Sequence, residues 1–217
     1  FFMERELNYP VTLINSGDLN RANWNDIDVL ILPDGKYPFL NNKDFSDLRN
    51  WISKGGKLIA MESAVAQLAG MEEGGIKFKK EGDDTAKKDS YAALKKFGDH
   101  DRESISSTTP GSIYKVQLDN SHPLAFGYPG YYYTLKMDDN VYEFINNGWN
   151  VGVIKKDNLV AGFVGSELKK KLNDGVIYGV QDIGRGNIIY LADDVLFRNF
   201  WQNGKLMFCN ALFMVGQ

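Results

Sequence analysis

Residues 57–70 read KLIAMESAVAQLAG: Lys57, the apolar run Leu58, Ile59, Ala60 and Met61, then Glu62 and Ser63, then an alanine-rich stretch ending at Gly70. A run of strand composition passes without a break into residues spaced for a helix, with Ala64, Val65 and Leu68 on one face. Glu62-Ser63 therefore stands at a strand-to-helix turn. In open α/β sheets the ligand crevice lies at the carboxyl ends of the strands, and the helix that follows directs free N–H groups at whatever binds there. Either side chain could serve a reaction. Equally, Ser63 could cap its own helix and Glu62 answer the helix dipole, which needs no substrate.

Towards the amino terminus, Phe45, Leu48, Trp51 and Ile52 recur at helical spacing, with Asn42 placed to cap that helix and Gly55-Gly56 to stop it. Before it, Asp28-Val29-Leu30-Ile31-Leu32 is a continuous apolar run halted by Pro33-Asp34-Gly35, the pattern of a strand buried on both faces. Val11-Thr12-Leu13-Ile14 reads as a further short strand closed by Asn15, Ser16 and Gly17, and Phe2, Met3 and Leu7 predict a helix that ends before Pro10. Strand, strand, helix, strand and helix joined by short turns predict a βαβ-built parallel sheet with helices on both faces.

Towards the carboxyl terminus the pattern gives way, over about residues 70–107, to charges, glycines and small polar residues, with Tyr91, Leu94 and Phe97 at helical spacing. This reads as a surface excursion carrying one short helix. The second half is strand-rich, with predicted strands at 112–118, 131–135, 151–155, 159–164, 176–180 and 187–191 and a final amphipathic helix over 197–215. Gly184-Arg185-Gly186 lies between two of these strands and predicts a hairpin turn, because a phosphate loop would stand ahead of a helix and carry a third glycine.

The chain has 217 residues, a length at which one domain is the expectation, and its net charge of −3 with acids mixed among its bases gives no footprint for nucleic acid. Lys169-Lys170-Lys171 reads as a solvated helix face. No segment is long and apolar enough for a membrane span. Cys209, the single cysteine, lies in an apolar run and reads as a structural thiol. The two histidines, His100 in a charged loop and His122 before Pro123, lack the ordered spacing of a zinc set and read as structural. The candidate crevice is formed by three strand ends: Asp34-Gly35, Glu62-Ser63 and Asp193-Asp194.

Asp28 to Gly35, DVLILPDG, resembles the strand and Pro-Gly-Gly loop of class I glutamine amidotransferase-like domains, and KLIAMESAVAQLAG resembles their strand-to-nucleophile turn. The resemblance implies a flavodoxin-like, mainly parallel sheet. In that family the turn carries a catalytic cysteine followed one residue later by glycine, and a His-x-Glu pair completes the triad. The cysteine position falls on Glu62 and the glycine position on Ala64, and neither Gln181-Asp182 nor Ala192-Asp193-Asp194 offers the pair. A glutamate cannot replace a thiolate in amide transfer, and a serine without a base is a weak nucleophile.

A narrower resemblance runs through Glu4-Arg5-Glu6-Leu7-Asn8-Tyr9-Pro10-Val11-Thr12, Pro110-Gly111-Ser112-Ile113-Tyr114, Leu118-Asp119, His122-Pro123-Leu124-Ala125-Phe126-Gly127, Phe197-Arg198-Asn199-Phe200-Trp201 and Asn210-Ala211. In order, these are similar to the amidotransferase-like domain at the carboxyl end of bacterial secreted zinc carboxypeptidases. The resemblance implies a noncatalytic accessory domain, no cofactor in this segment, zinc only in an upstream peptidase domain that is also its partner, and a periplasmic or secreted location. It also implies a fragment of a longer chain whose first strand precedes Phe1. Two other readings use the same crevice: a small-ligand or saccharide-binding module at Asp34, Glu62 and Asp194, and a divergent serine hydrolase using Ser63 with Asp193 or Asp194.

Overall fold

The computed structural model describes residues 1–40, 45–80 and 96–216. Seven strands form one sheet: β1 (Val29–Leu32), β2 (Lys57–Met61), β3 (Gly111–Leu118), β4 (Tyr131–Lys136), β5 (Trp149–Phe163), β6 (Gly175–Ile183) and β7 (Gly186–Leu191). Their spatial order is β1-β2-β7-β6-β5-β3-β4. The fold is mixed α/β, which corrects the expected mainly parallel sheet. Only the β1–β2 and β2–β7 pairings are parallel; β7–β6, β6–β5, β5–β3 and β3–β4 are antiparallel. The apolar run of the first half does form a parallel core. In the second half a hairpin joins β6 to β7, a link with the short turn Pro123–Ala125 joins β3 to β4, a link carrying a helix joins β5 to β6, and β5 returns to pair with β3, each pair antiparallel.

Helices α1 (Phe45–Ser53) and α2 (Ser63–Ala69) cover one face, where Leu48, Ile52, Val65 and Leu68 pack with Leu58, Ala60, Ile188 and Tyr190. Helix α5 (Gln202–Phe213) covers the other, where Met207, Phe208 and Ala211 pack with Ile59, Met61, Ile189 and Leu191. Strands β2 and β7 are apolar from Leu58 to Met61 and from Ile188 to Leu191 because successive side chains enter two different cores. By contrast, β3 and β4 alternate between buried and exposed positions.

The stop of α1 is steric. A Cβ on Gly56 would lie 2.3 Å from the Trp51 ring, whose Nε1 donates to the Ile27 carbonyl at 2.9 Å. The predicted hairpin joins β6 to β7, with Gly184 at φ +63°. Asn42, Tyr91 and Leu94 lie outside the described residues.

Several sequence expectations are corrected. Residues 11–14 form no strand; Leu13 is 89% exposed, and strand composition without a pairing partner leaves the backbone hydrogen bonds unmade. The strands expected at 151–155 and 159–164 are one strand, β5, and the polar run between them is an irregularity against β3 with Asp157 at φ +61°. The final helix begins later than expected, because Arg198 and Asn199 take positive φ and separate a short turn, Phe197–Asn199, from α5. Part of the expected surface excursion is packed: Ile76 is buried, and Phe78 stacks on Tyr142 at 5.4 Å between ring centroids. The excursion's described helix is α3 (His100–Ser106), and Phe97 stands exposed in the turn before it. Lys169, Lys170 and Lys171 lie on α4 (Ser166–Leu172), whose Leu168 and Leu172 are buried.

Candidate functional site

Three parallel strands end side by side, so the residues following β1, β2 and β7 share one edge of the sheet. Asp34 and Gly35 follow β1, Glu62 and Ser63 follow β2, and Asp193 and Asp194 follow β7. The turn after β2 is sharp: Glu62 sits at φ +45°, ψ −113°, outside the wells open to an L residue. Its N–H donates to Leu191 O at 3.0 Å and its carbonyl accepts from Ala66 N–H at 3.1 Å, so sheet and helix hold it from both sides. A residue held in this way stores about 1–3 kcal/mol of backbone strain, a feature that collects at functional sites.

Ser63 does not cap its own helix, and Glu62 makes no side-chain cap hydrogen bond. The cap comes from another strand end. Asp34 Oδ1 accepts from the Ser63 backbone N–H at 3.3 Å and from the Ser63 hydroxyl. Gln67, one turn along α2, ties the loop after β1 to the helix: Nε2 donates to Gly35 O at 2.7 Å and to Ser63 O at 3.0 Å, and Oε1 accepts from Tyr37 N–H at 2.8 Å.

Asp193 is 2% exposed and accepts from Thr134 Oγ1 at 2.6 Å and Lys136 Nζ at 3.1 Å. Lys136 is fully buried and also donates to Asp138. Burial works against its charge, but Asp193 and Asp138 outweigh that effect and hold the ammonium's pKa above its ordinary value. Asp194 Oδ1 accepts from Leu196 N–H at 2.8 Å; burial raises its carboxyl pKa and Asp34 adds to the rise.

Glu62 stands apart. Its carboxyl has no hydrogen-bond partner among the described residues, and burial pushes its pKa up to about 7, with Asp194, Asp34, Asp193 and Asp138 adding like-charge repulsion. Near neutral pH it is therefore divided between acid and carboxylate, able to donate or accept a proton. The Ser63 hydroxyl is held by a carboxylate rather than by an imidazole or amine, and Lys136 is committed to two aspartates.

The histidines lie elsewhere. His122 caps a short turn, its Nδ1 accepting from Leu124 N–H at 3.1 Å, and it interacts with Asp182, which pairs with Asn187 at the start of β7. Glu62 is beside Leu191 at the other end of that strand. His100 is exposed at the start of α3, and Cys209 is half-buried on α5. Among the described residues no group of three or more histidine, cysteine, aspartate or glutamate side chains is placed to hold a metal ion, and no helix is long and apolar enough to cross a membrane.

The structure thus brings together all six residues expected at the crevice. It adds Gln67, Thr134, Lys136 and Asp138, for which the sequence carried one signal: Tyr132, Thr134 and Lys136 share the inward phase of β4.

Fold and site together define a mixed α/β protein built around a strained strand-to-helix turn with acidic surroundings. No protein-family model matches the chain, and no curated protein matches it. Among solved structures it is similar to a protein of Parabacteroides merdae described as ThuA-like, at 11% identity and a TM-score of 0.57, over 97% of this chain and 80% of that one. A second protein described as ThuA-like, from Bacteroides uniformis, aligns at 12% identity and a TM-score of 0.44 over 85% of this chain and 67% of that one. The β-galactosidase of Rahnella sp. R3 aligns at 14% identity and 0.42, over 84% of this chain and 22% of that one. At these identities the likeness to the Parabacteroides protein shows the fold alone.

Proposed function

We propose that this chain is an amidotransferase-like domain that has lost its chemistry and serves as the accessory domain of a secreted or periplasmic zinc metallocarboxypeptidase. The observation that carries the reading is the conformation of Glu62: the sharp turn of a nucleophile is kept, and a carboxyl occupies it. The neighbouring hydroxyl is bound to Asp34, so no activated nucleophile stands in its place. Fold likeness to a ThuA-like protein is compatible with an amidotransferase-like ancestry.

The stretches that resemble the carboxypeptidase-linked domain support the reading through their contacts, since they bind one another rather than the crevice. Glu6 accepts from Asn199 Nδ2 at 2.6 Å, and the buried Asn210 donates to Leu124 O at 3.0 Å and Phe126 O at 2.8 Å. Motifs that brace a scaffold suit a domain retained for its shape and surface. Among the described residues β1 is an edge strand, where the further parallel strand that such a domain carries would pair. Zinc and peptide-bond chemistry belong, in this reading, to an upstream partner domain.

A second reading has one observation in its favour. Asp34, Asp193 and Asp194 are each engaged by hydrogen bonds, while the Glu62 carboxyl is free to meet a ligand that offers a donor, such as an amino acid or a sugar hydroxyl. Thermal-shift measurements with these compounds test it: a ligand at 100 times its Kd stabilises the fold by about 2.7 kcal/mol, and Glu62→Gln should abolish the shift.

The accessory role is tested on the natural full-length polypeptide. It should contain zinc, release carboxyl-terminal residues from peptides, and keep its turnover when Glu62→Gln or Ser63→Ala is introduced. A polypeptide without zinc or peptidase activity overturns the proposal.

A further inference from the structure

A cleft lies away from the acidic strand ends, between the edge strand β4 and the start of α5. Its volume is about 350 Å³, and it is lined by Tyr128, Tyr131, Tyr133, Gln202, Asn203 and Leu206 with the backbone of the turn at Gly127 and Pro129. No lining side chain is charged, but Lys115, outside the lining, places its Nζ over the Tyr131 ring, 4.5 Å from the centroid. The volume falls at the lower end of the roughly 300–1,000 Å³ typical of small-ligand sites.

Both walls are fixed. Trp201 Nε1 donates to the Tyr133 carbonyl at 3.2 Å, which holds the start of α5 against the edge strand. Tyr128 spans the base: its hydroxyl donates to the Asn203 carbonyl and its ring packs edge-on to buried Tyr132 at 5.7 Å. On this frame Tyr131 and Tyr133 stand 41% and 36% exposed, their centroids 5.7 Å apart. The hydroxyls of Tyr131 and Tyr133 and the carboxamides of Gln202 and Asn203 make no side-chain hydrogen bonds among the described residues. The site therefore offers the exposed parts of two tyrosine rings packed edge to face, Tyr131 with Lys115 over it, and four neutral groups that can each donate and accept.

We infer that this cleft binds a neutral saccharide. Aromatic faces receive the C–H faces of a pyranose ring, while carboxamides and phenols match hydroxyl groups that also donate and accept. No acidic side chain lines the cleft, which disfavours ammonium ligands, and the Lys115 ammonium is engaged with the Tyr131 ring rather than held in the lining as a counter-charge for phosphate or carboxylate. Walls already held in place reduce the ordering cost that weakens binding to mobile loops. This inference does not depend on the accessory role proposed above; it supplies a surface such a domain could use.

Affinity electrophoresis of the chain through gels containing linear β-glucan, galactomannan or starch tests it. At least one should retard migration relative to a gel without polysaccharide. Tyr131→Ala and Tyr133→Ala should each weaken binding at least tenfold, and Tyr133→Phe should keep most of it. Both rings are exposed, so the variants should keep the wild-type Tm, which is measured alongside. Unchanged mobility in all three gels, retardation that survives the double tyrosine variant, or tyrosine-dependent binding of a proline-rich peptide in place of the polysaccharides overturns the inference.

Discussion

The Asp34 carboxylate caps a helix that it does not precede. It closes β1, yet accepts from both the backbone N–H and the hydroxyl of Ser63 at the start of α2, so one side chain joins two strand ends and neutralises the helix amino terminus. Asp34→Ala should therefore destabilise the fold by about 1 kcal/mol, the usual cost of a lost cap. In a urea-denaturation double-mutant cycle with Ser63→Ala, the two changes should be less than additive. Additivity would mean that the contact contributes nothing.

Glu62 should make stability depend on pH. Its folded pKa is about 7 against an ordinary value of 4.5, so folding favours its protonated form; that contribution is complete below about pH 4.5 and is lost as pH rises through 7. Glu62→Gln should remove this dependence, raising stability at pH 8 by about 2 kcal/mol after allowance for partial exposure while changing it little at pH 5. Chemical denaturation at the two pH values checks both arms.

Backbone strain at the same residue predicts a second, pH-independent effect. At φ +45°, ψ −113°, glycine is at ease and alanine is not, so Glu62→Gly should be more stable than Glu62→Ala by about 1 kcal/mol at either pH. On an unstrained helix terminus the order would be reversed or absent.

The buried pair should behave asymmetrically. Asp193→Asn leaves Lys136, fully buried, with Asp138 as its only carboxylate partner, and should cost about 3–5 kcal/mol. Adding Lys136→Met to that variant should recover at least about 1 kcal/mol, because an apolar side chain is easier to bury than an ammonium left with one partly exposed carboxylate. Thermal unfolding of the two variants gives the comparison.

Local signals in the sequence located the parallel half of the fold. Val29 to Leu32 and Leu58 to Met61 are apolar without interruption because they lie between two cores, and the residues that stop them are the residues of the candidate site. The antiparallel half was legible as strands but not as an arrangement, since pairing depends on contacts distant in sequence. Residues 11–14 show the limit: β-branched composition records a tendency to pair, not the presence of a partner. The long strand β5 shows the converse, because a polar run that reads as a loop is absorbed as an irregularity when the flanking residues pair with the same neighbour. Lys136 and Asp138 lie beyond the strand expected at 131–135, and they reach Asp193 only through the sheet topology, which local pattern does not encode.

Whether the turn at Glu62 holds a nucleophile is tested most directly by exposing the chain to a fluorophosphonate and to a p-nitrophenyl ester, with Ser63→Ala as the control. The expected result is no covalent adduct at Ser63 and ester hydrolysis identical in the two proteins. An adduct mapped to Ser63, with hydrolysis lost in Ser63→Ala, would show an activated serine beside Glu62 and contradict a noncatalytic domain.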